Sequence, residues 1–436
     1  MLRPFNRSFA IPAGWFSKTQ KAERIIASNF NAVTIMIFLF FLMLSLLRIN
    51  RYTLDETVFH YPNFLNFYEN GWEAMFNDRY SAANTPLPYF IVATLAKLFG
   101  PSLALARITT AVFSFLTLLL VVKLLDFRKV PYSQAIGFLF LPYFFVNAFV
   151  FYAINYGLFF LVLGMNYWKE SLVKPSWANE LLAGLFFSMA VLCQQFYVLA
   201  PVGIVIYKVI RFLINKEYSV QSKLVGELRS AALLTAPLVL PFSLFMAWGG
   251  ITHPNFDSHS LGFYPTTIVA ILFVIGFYFS PYLLLSTKRI SFKETIAAIC
   301  LAIPLVWNFS PEFSEYQGPG KFTGLVFHLI TLFGRINHFL IPTVMVVLVA
   351  AGLLVILRLI QSLQTVFDYT VALIAGLLFL SYCINTQIGE RHLSGMMLLL
   401  FLLLIPGIKK AGLFYSAFIS LIGVSYFFYW YFIKFS

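Results

Sequence analysis

Apolar segments of roughly 20 residues recur from one end of this chain to the other, and each is long enough to cross ~30 Å of hydrocarbon. Of the 436 residues, 60% are hydrophobic and only 11% are charged, whereas a soluble domain carries about 25% charged residues. No soluble domain of any size fits between the apolar segments. The sequence therefore predicts an all-α, polytopic helical membrane protein, in which residues 1–436 form a single integral membrane domain.

Hydropathy predicts about 12–13 membrane spans, with boundaries that follow the apolar runs. We place them near residues 31–48, 103–125, 133–149, 152–168, 177–193, 195–213, 231–248, 264–286, 294–309, 338–358, 366–383, 393–408 and 412–432. Residues 1–30 are rich in Lys and Arg, and no small-x-small cleavage site follows the first span. We therefore expect an uncleaved first helix with a cytoplasmic N-terminus, in the inner membrane of a bacterium or the endoplasmic reticulum membrane of a eukaryote.

The charge of the chain is distributed unevenly between the two sides of this predicted topology. The formal net charge is +13, and the excess of Lys and Arg falls at the cytoplasmic ends of the spans. The positive-inside rule and contact with anionic membrane lipids account for this asymmetry. The basic charge is therefore no reason to predict a nucleic-acid partner.

The outer side of the predicted topology holds the histidines. All 6 fall there, at His60, His253, His259, His328, His338 and His392. Titratable groups gathered on one side of a membrane indicate that chemistry or recognition takes place on that side.

The first outer loop, residues 49–102, is longer than a connector requires. It opens with "YTLDETVFHYPN", in which Asp55 and Glu56 are adjacent and His60 follows. The next stretch, "YPNFLNFYENGWEAMF", predicts an amphipathic interfacial helix with its aromatic residues at the level of the lipid headgroups. Those at helical spacing are Phe64, Phe67, Tyr68 and Trp72. Residues 84–88 read as a turn because two prolines interrupt them, and residues 89–99 read as a second short helix. By itself the acidic pair is compatible with a solvated helix end as well as with a functional site.

Two further outer loops, residues 249–263 and 310–337, also carry polar groups. In the first, His253, Asp257 and His259 lie close together in sequence, a spacing that suits a metal site, recognition of sugar hydroxyls or phosphate, or a solvated loop. Later, Arg391 and His392 lie where an outer segment re-enters a helix. Arg391 can pair with Glu390, or its planar guanidinium can hold an anionic phosphate.

Four stretches carry a resemblance to a known family. "LDETVFHYPN" is similar to an Asp-Glu-x-x-Phe-His-x-Pro segment, and "ANTPLPYF" resembles a Thr-Thr-x-Pro-Gly-x-Tyr turn. "FVFYAINYGLFFLVLGM" resembles a Tyr-Tyr-Thr-Asp segment, and "WGGITHPNFDSHSLGFYP" an Asn-Gly-Gly-Ile-x-x-Gly-Asp-x-x-x-His loop. In order and spacing over about residues 30–285, the chain resembles the GT-C superfamily of glycosyltransferases. Within that superfamily it is most similar to the dolichyl-phosphate-glucose α-1,2-glucosyltransferases.

The resemblance implies an inverting hexosyltransferase that uses a polyprenyl- or dolichyl-phosphate sugar as donor, with glucose as the family default. It implies an acceptor hydroxyl on a lipid-linked glycan, and no metal or further cofactor. Asp55 is then the expected general base, taking the proton of the attacking hydroxyl, and Glu56 and His60 are its neighbours in the acceptor site. There Glu56 either orients His60 or binds the acceptor. Glu56 points away from Asp55 on a helical segment, so the two carboxylates need not act as a dyad.

The resemblance also implies groups that bind the rest of the substrates. We expect the leaving lipid phosphate to be neutralised by Arg391, with Arg79, Arg335 and His392 as further candidates. His253, Asp257 and His259 are expected to contact sugar or phosphate.

Two other functions are compatible with such a chain. One is a GT-C transferase with a different sugar or acceptor, such as a cell-envelope glycolipid. The other is a polytopic transporter or lipid flippase, a class that often shows two similar halves and charged residues at mid-membrane. The sequence shows no obvious internal repeat and its spans are nearly free of charge at their centres, which favours an interfacial enzyme.

Overall fold

The fold is a bundle of apolar helices, described here from a computed structural model. The structure describes residues 32–48, 55–128, 130–214, 221–255, 262–286, 290–313, 321–322, 324–337, 339–384, 390–408 and 412–429. Its helices are α1 (Ala32–Leu47), α2 (Tyr61–Asn70), α3 (Leu87–Phe99), α4 (Leu103–Phe127), α5 (Tyr132–Leu139), α6 (Pro142–Asn147), α7 (Ala153–Val173), α8 (Trp177–Val191), α9 (Leu199–Ile214), α10 (Gln221–Thr235), α11 (Val239–Trp248), α12 (Pro265–Leu285), α13 (Phe292–Phe309), α14 (Leu325–Ile336), α15 (Leu340–Ser362), α16 (Val366–Cys383), α17 (Ser394–Leu404) and α18 (Gly412–Phe428).

Short helical turns and one small strand pairing complete the described elements. A π-helical turn lies at Glu56–His60, and 3-10 turns lie at Gly71–Phe76, Gln195–Val198, Ala236–Leu238, Glu390–Leu393 and Ile405–Ile408. The strands β1 (Glu312–Phe313) and β2 (Lys321–Phe322) pair in parallel. The predicted all-α class is confirmed.

Within the described residues, seven helical stretches are long and apolar enough to cross a membrane. They are Leu103–Phe127, Gln195–Ile214, Val225–Trp248, Pro265–Leu285, Phe292–Phe309, Leu340–Ser362 and Val366–Cys383. Shorter apolar helices coincide with other predicted spans, at Ala32–Leu47, Trp177–Val191, Ser394–Ile408 and Phe414–Phe428. The prediction of a multi-pass integral membrane protein is confirmed to this extent.

One predicted span is broken. Residues 133–149, predicted as a single helix, form α5 and α6 instead, and α6 begins at Pro142. Proline has no N–H to continue a helix and pushes the preceding residue into an extended conformation. Leu141 accordingly has ψ 120°. The chain therefore turns inside this segment and passes Phe149 to Tyr152 in non-helical form towards the loop that holds Asp55.

Two ion pairs between helices lie at one end of the bundle. Arg128 pairs with Asp368 (Nη2–Oδ1 2.7 Å), and Arg358 pairs with Glu294 (Nη2–Oε2 2.8 Å). We call this the far end. The opposite end, which carries residues 55–102, is called the site end.

The first loop is helical, as predicted, but its aromatic residues do not all face the membrane interface. Phe64 and Phe67 are buried in the core at 0% and 1% exposure, because α2 packs against α3. Trp72 is 57% exposed and stacks on Phe90 with ring centroids 3.9 Å apart. The expectation that Phe64 and Phe67 lie among lipid headgroups is therefore wrong: α2 is part of the folded body at the site end.

Candidate functional site

Asp55 lies at the start of the π-helical turn Glu56–His60, which continues directly into α2. Pro62 in the first turn of α2 cannot donate a backbone hydrogen bond, and its ring would clash with the carbonyl four residues earlier. A wider π turn just before it accommodates this, and such turns are frequent at functional sites. The Asp55 side chain is half-buried, and its Oδ2 accepts a hydrogen bond from the Tyr152 hydroxyl at 2.8 Å.

Glu56 points to a different set of partners. Its two oxygens accept hydrogen bonds from Arg107, Nε to Oε1 at 3.0 Å and Nη2 to Oε2 at 2.9 Å. Both side chains are 0% exposed. Asp55 and Glu56 thus accept these hydrogen bonds from different residues, Tyr152 and Arg107, and that they need not act as a dyad stays a prediction. The prediction that Glu56 contacts an acceptor is wrong, since its carboxylate is fully buried in an ion pair.

The Glu56–Arg107 pair also joins other segments of the site end. Nη1 of Arg107 donates to the backbone oxygen of Ser45 in α1 at 3.0 Å, and the Ser45 hydroxyl donates to the oxygen of Phe149 at 2.6 Å. The backbone N–H of Phe151 donates to Oε1 of Glu56 at 2.8 Å. Removing one member of a buried ion pair costs about 3–5 kcal/mol, because it leaves an uncompensated charge.

The His60 side chain is buried next to Tyr152 and does not lie at the surface. It is 3% exposed, its Nδ1 is hydrogen-bonded to the Tyr89 hydroxyl at 2.8 Å, and its ring lies edge-on to Tyr152 at 4.5 Å between centroids. Burial raises the pKa of Tyr89, so its phenol stays protonated and can donate to Nδ1. The predicted direct contact of His60 with an acceptor is therefore corrected: His60 packs against Tyr152, the hydrogen-bond donor to Asp55.

The turn predicted at residues 84–88 is shorter in the structure, because Leu87 and Pro88 already belong to α3, and residues 85–87 are bonded to the end of α8. The Thr85 hydroxyl donates to the backbone oxygen of Val191 at 2.7 Å, and Leu87 N–H donates to that of Leu192 at 3.0 Å. The side-chain amide of Gln195 donates to the Ala83 oxygen at 2.5 Å. These bonds fix the start of α3, which carries Tyr89.

The loop after α11 packs against the first loop. Gly249 ends α11 in the left-handed conformation at φ 70°, and His253 then lies edge-on to Tyr80 at 5.2 Å between centroids. Asn255 donates from its backbone N–H to Nδ1 of His253 at 3.2 Å and from its side chain to the Asp78 oxygen at 3.0 Å. The structure thus brings His253 to the site end. Asp257 and His259 lie outside the described residues.

Acidification is expected to weaken the docking of this loop. Burial lowers the pKa of His253 below its ordinary value of 6.5, although Asp78 opposes the shift. The unfolded chain therefore binds more protons than the folded one just below pH 6.5, and stability falls as the pH drops through that range. We expect the melting temperature to fall less between pH 7.5 and 5.5 in His253→Asn, whose Oδ1 can replace Nδ1 as acceptor, than in the wild type. Equal slopes in both proteins would contradict this prediction, and His328→Gln is the matched control.

The segment that carries Arg391 and His392 lies at the same end. It is the 3-10 turn Glu390–Leu393, whose His392 oxygen accepts a hydrogen bond from the Tyr382 hydroxyl at 2.8 Å. The backbone bond from Tyr264 N–H to the Cys383 oxygen, 2.8 Å, joins the end of α16 to the start of α12. His392 is half-buried. The side chain of Arg391 lies outside what the structure describes, so its predicted contact with phosphate stays a prediction.

Arg79 and Arg335 are the other predicted phosphate ligands. The Arg79 side chain is 71% exposed and pairs with Glu69 (Nη1–Oε2 3.1 Å), and Arg335 is exposed in the last turn of α14. An exposed pair of this kind contributes little to stability, so Arg79 can exchange Glu69 for another anion. Its substrate contact also stays a prediction.

No group of three or more His, Cys, Asp or Glu side chains that could hold a metal ion occurs within the described residues. Comparison of the chain with protein-family models, curated proteins and solved structures finds no match.

Taken together, the contacts define a candidate active site around Asp55. Sequence reasoning identified Asp55 but missed Arg107, Tyr152 and Tyr89, which hold and surround its loop. Arg107 could have been predicted from the sequence, because an ionisable residue inside a predicted span is usually paired with another charge or functional. Tyr89 and Tyr152 lie in two of the stretches that carry the family resemblance, but only the fold brings them near residue 55.

Proposed function

We propose that the protein is an inverting glycosyltransferase of the GT-C type. It transfers a sugar, glucose by resemblance, from a polyprenyl- or dolichyl-phosphate donor to an acceptor hydroxyl of a lipid-linked glycan. The reaction takes place at the outer or lumenal membrane face, and the site end of the bundle is that face.

The observation that carries this proposal is the environment of Asp55. A half-buried carboxylate lies at the end of a membrane helix bundle and is oriented by a phenol hydroxyl at 2.8 Å. A carboxylate within hydrogen-bond reach of an acceptor can take its proton as the hydroxyl attacks the anomeric carbon. The position at a helix exit suits a donor whose tail lies in the bilayer and whose sugar lies at the interface.

The reaction follows from these parts as one displacement. Asp55 accepts the proton of the attacking hydroxyl, the new glycosidic bond forms, and the bond from the anomeric carbon to the phosphate oxygen breaks with inversion. The transition state is oxocarbenium-like, by analogy with glycoside hydrolysis. The polyprenyl phosphate leaves as an anion, and Arg391 in the Glu390–Leu393 segment is the proposed cation that stabilises it.

Charge supports the orientation of the chain. The excess of basic residues behind the formal net charge of +13 falls at the end opposite Asp55 in the predicted topology. The positive-inside rule then puts that end in the cytoplasm and the N-terminus with it.

Purified full-length protein in lipid nanodiscs tests the proposal. We expect it to release polyprenyl phosphate from dolichyl- or undecaprenyl-phosphate [¹⁴C]glucose when membrane lipid extract is supplied as acceptor, and to move the label to a lipid-linked product. A transporter or flippase would relocate the donor without cleaving it. The proposal would be overturned if the protein released polyprenyl phosphate neither from the two glucose donors nor from the corresponding mannose donors.

A further inference from the structure

The buried Glu56–Arg107 pair lies beside the candidate site without reaching its surface. A buried ion pair adds little stability relative to apolar side chains of similar volume, and the best-attested reason for having one is a defined geometry. The guanidinium and carboxylate here meet in the planar, two-bonded arrangement that Arg makes and Lys cannot. The contacts of the pair therefore show which parts of the chain its geometry holds in place.

The pair holds the two residues that adjoin Asp55 and Tyr152 in sequence. Glu56 follows Asp55, and its carboxylate is held by Arg107 at 3.0 and 2.9 Å. Phe151 precedes Tyr152, and its N–H donates to the same Glu56 oxygen that accepts from Nε of Arg107, at 2.8 Å. The base and its hydrogen-bond donor come from segments 97 residues apart, and this one ion pair fastens both segments.

The far side of the guanidinium is anchored as well. Arg107 lies in the first turns of α4, and its Nη1 donates to the backbone oxygen of Ser45 in α1 at 3.0 Å. The Ser45 hydroxyl donates to the oxygen of Phe149 at 2.6 Å. Two helices of the bundle thus fix the pair, and the pair fixes the loop residues.

We propose that Arg107, acting through Glu56, is a positioning residue that sets the hydrogen bond between Tyr152 and Asp55 and so aims the Asp55 carboxylate at the acceptor hydroxyl. This inference rests on the proposed function. A misplacement of ~1 Å at a reacting group can cost ~10²-fold in rate, so the rigidity of this junction has a kinetic consequence. Neither Arg107 nor Glu56 touches substrate, because both side chains are fully buried.

Arg107→Lys tests the inference, because it keeps the positive charge and removes the planar fork. In the full-length protein in nanodiscs, with dolichyl- or undecaprenyl-phosphate [¹⁴C]glucose as donor, we expect kcat per folded molecule to fall ~10- to 100-fold. The KM for the donor is expected to stay within about twofold, since no substrate contact is lost. The matched control is Arg128→Lys, at the buried pair of Arg128 with Asp368 on the far end, which is expected to leave kcat unchanged.

A double-mutant cycle with Tyr152→Phe separates positioning from general destabilisation. If Arg107 acts through the bond from Tyr152 to Asp55, the double variant loses no more than about threefold beyond the worse single variant. Should Arg107→Lys fail to fold, Ser45→Ala loosens the same junction more gently and is expected to lower kcat ~3- to 10-fold at constant KM.

The outcomes are distinguishable. The inference is overturned if Arg107→Lys, or Ser45→Ala where that variant is used, keeps the wild-type kcat per folded molecule. It is also overturned if the losses of Arg107→Lys and Tyr152→Phe multiply in the double variant. Either result leaves the proposed function standing. A wild-type protein that releases no polyprenyl phosphate overturns the proposed function and the positioning role with it.

Discussion

Replacement of Asp55 by Asn is expected to lower sugar transfer by ~10²–10⁴-fold, the contribution that a positioned general base usually makes. The amide cannot take the proton of the attacking hydroxyl. Its Oδ1 can still accept the hydrogen bond that the Tyr152 hydroxyl gives to Asp55 at 2.8 Å. The variant should therefore fold as the wild type does, and the loss should appear in kcat. Initial rates of polyprenyl phosphate release, together with thermal unfolding of the same preparation, measure both quantities.

The matched control for this change is Glu73→Gln. Glu73 is an exposed acid in the same loop, and its neutralisation removes the same charge without touching the site. We expect its transfer rate to stay within about twofold of the wild type, because an exposed charge is screened by water and salt and acts weakly on other groups. A rate in Asp55→Asn within threefold of the wild type would remove Asp55 as the base. The proposed function would then need another carboxylate.

Hydropathy predicted the class of fold well, because crossing a membrane requires an apolar segment of a fixed length whatever the segment packs against. It could not predict the break at Pro142 or the burial of Phe64 and Phe67. A proline inside an apolar run is compatible with both a kinked and a broken helix. Aromatic residues on one face of a helix suit a lipid interface and a protein core equally well.

The candidate site could be predicted only in part, for a related reason. Adjacent residues on a helical segment point in different directions, so the separation of Asp55 from Glu56 was predictable from local geometry. The partners of Glu56 were not, since Arg107 is 51 residues away and Phe151 is 95 residues away. A single sequence gives the chemistry of a residue type, and long-range pairing is decided by packing.

The second large effect is expected from Gly276→Ala, in the contact between α12 and α15. A Cβ at position 276 would overlap the backbone oxygen of Leu348, and one at Gly352 would overlap that of Leu272. Small residues let membrane helices approach closely and gain van der Waals contact. Here the obstacle is backbone, which cannot rotate away, so the two helices must separate along their length.

We expect Gly276→Ala to destabilise the protein by about 3 kcal/mol or more, at or above the upper end of the usual cost of overpacking. The same substitution at Gly376 in α16 is the control, because a Cβ there meets no atom within 4 Å and alanine favours a helix by up to ~1 kcal/mol. The two alanine variants should therefore shift thermal unfolding in nanodiscs in opposite directions, downward for position 276 and slightly upward for position 376. A wild-type melting temperature in Gly276→Ala would contradict the close contact between α12 and α15 at position 276.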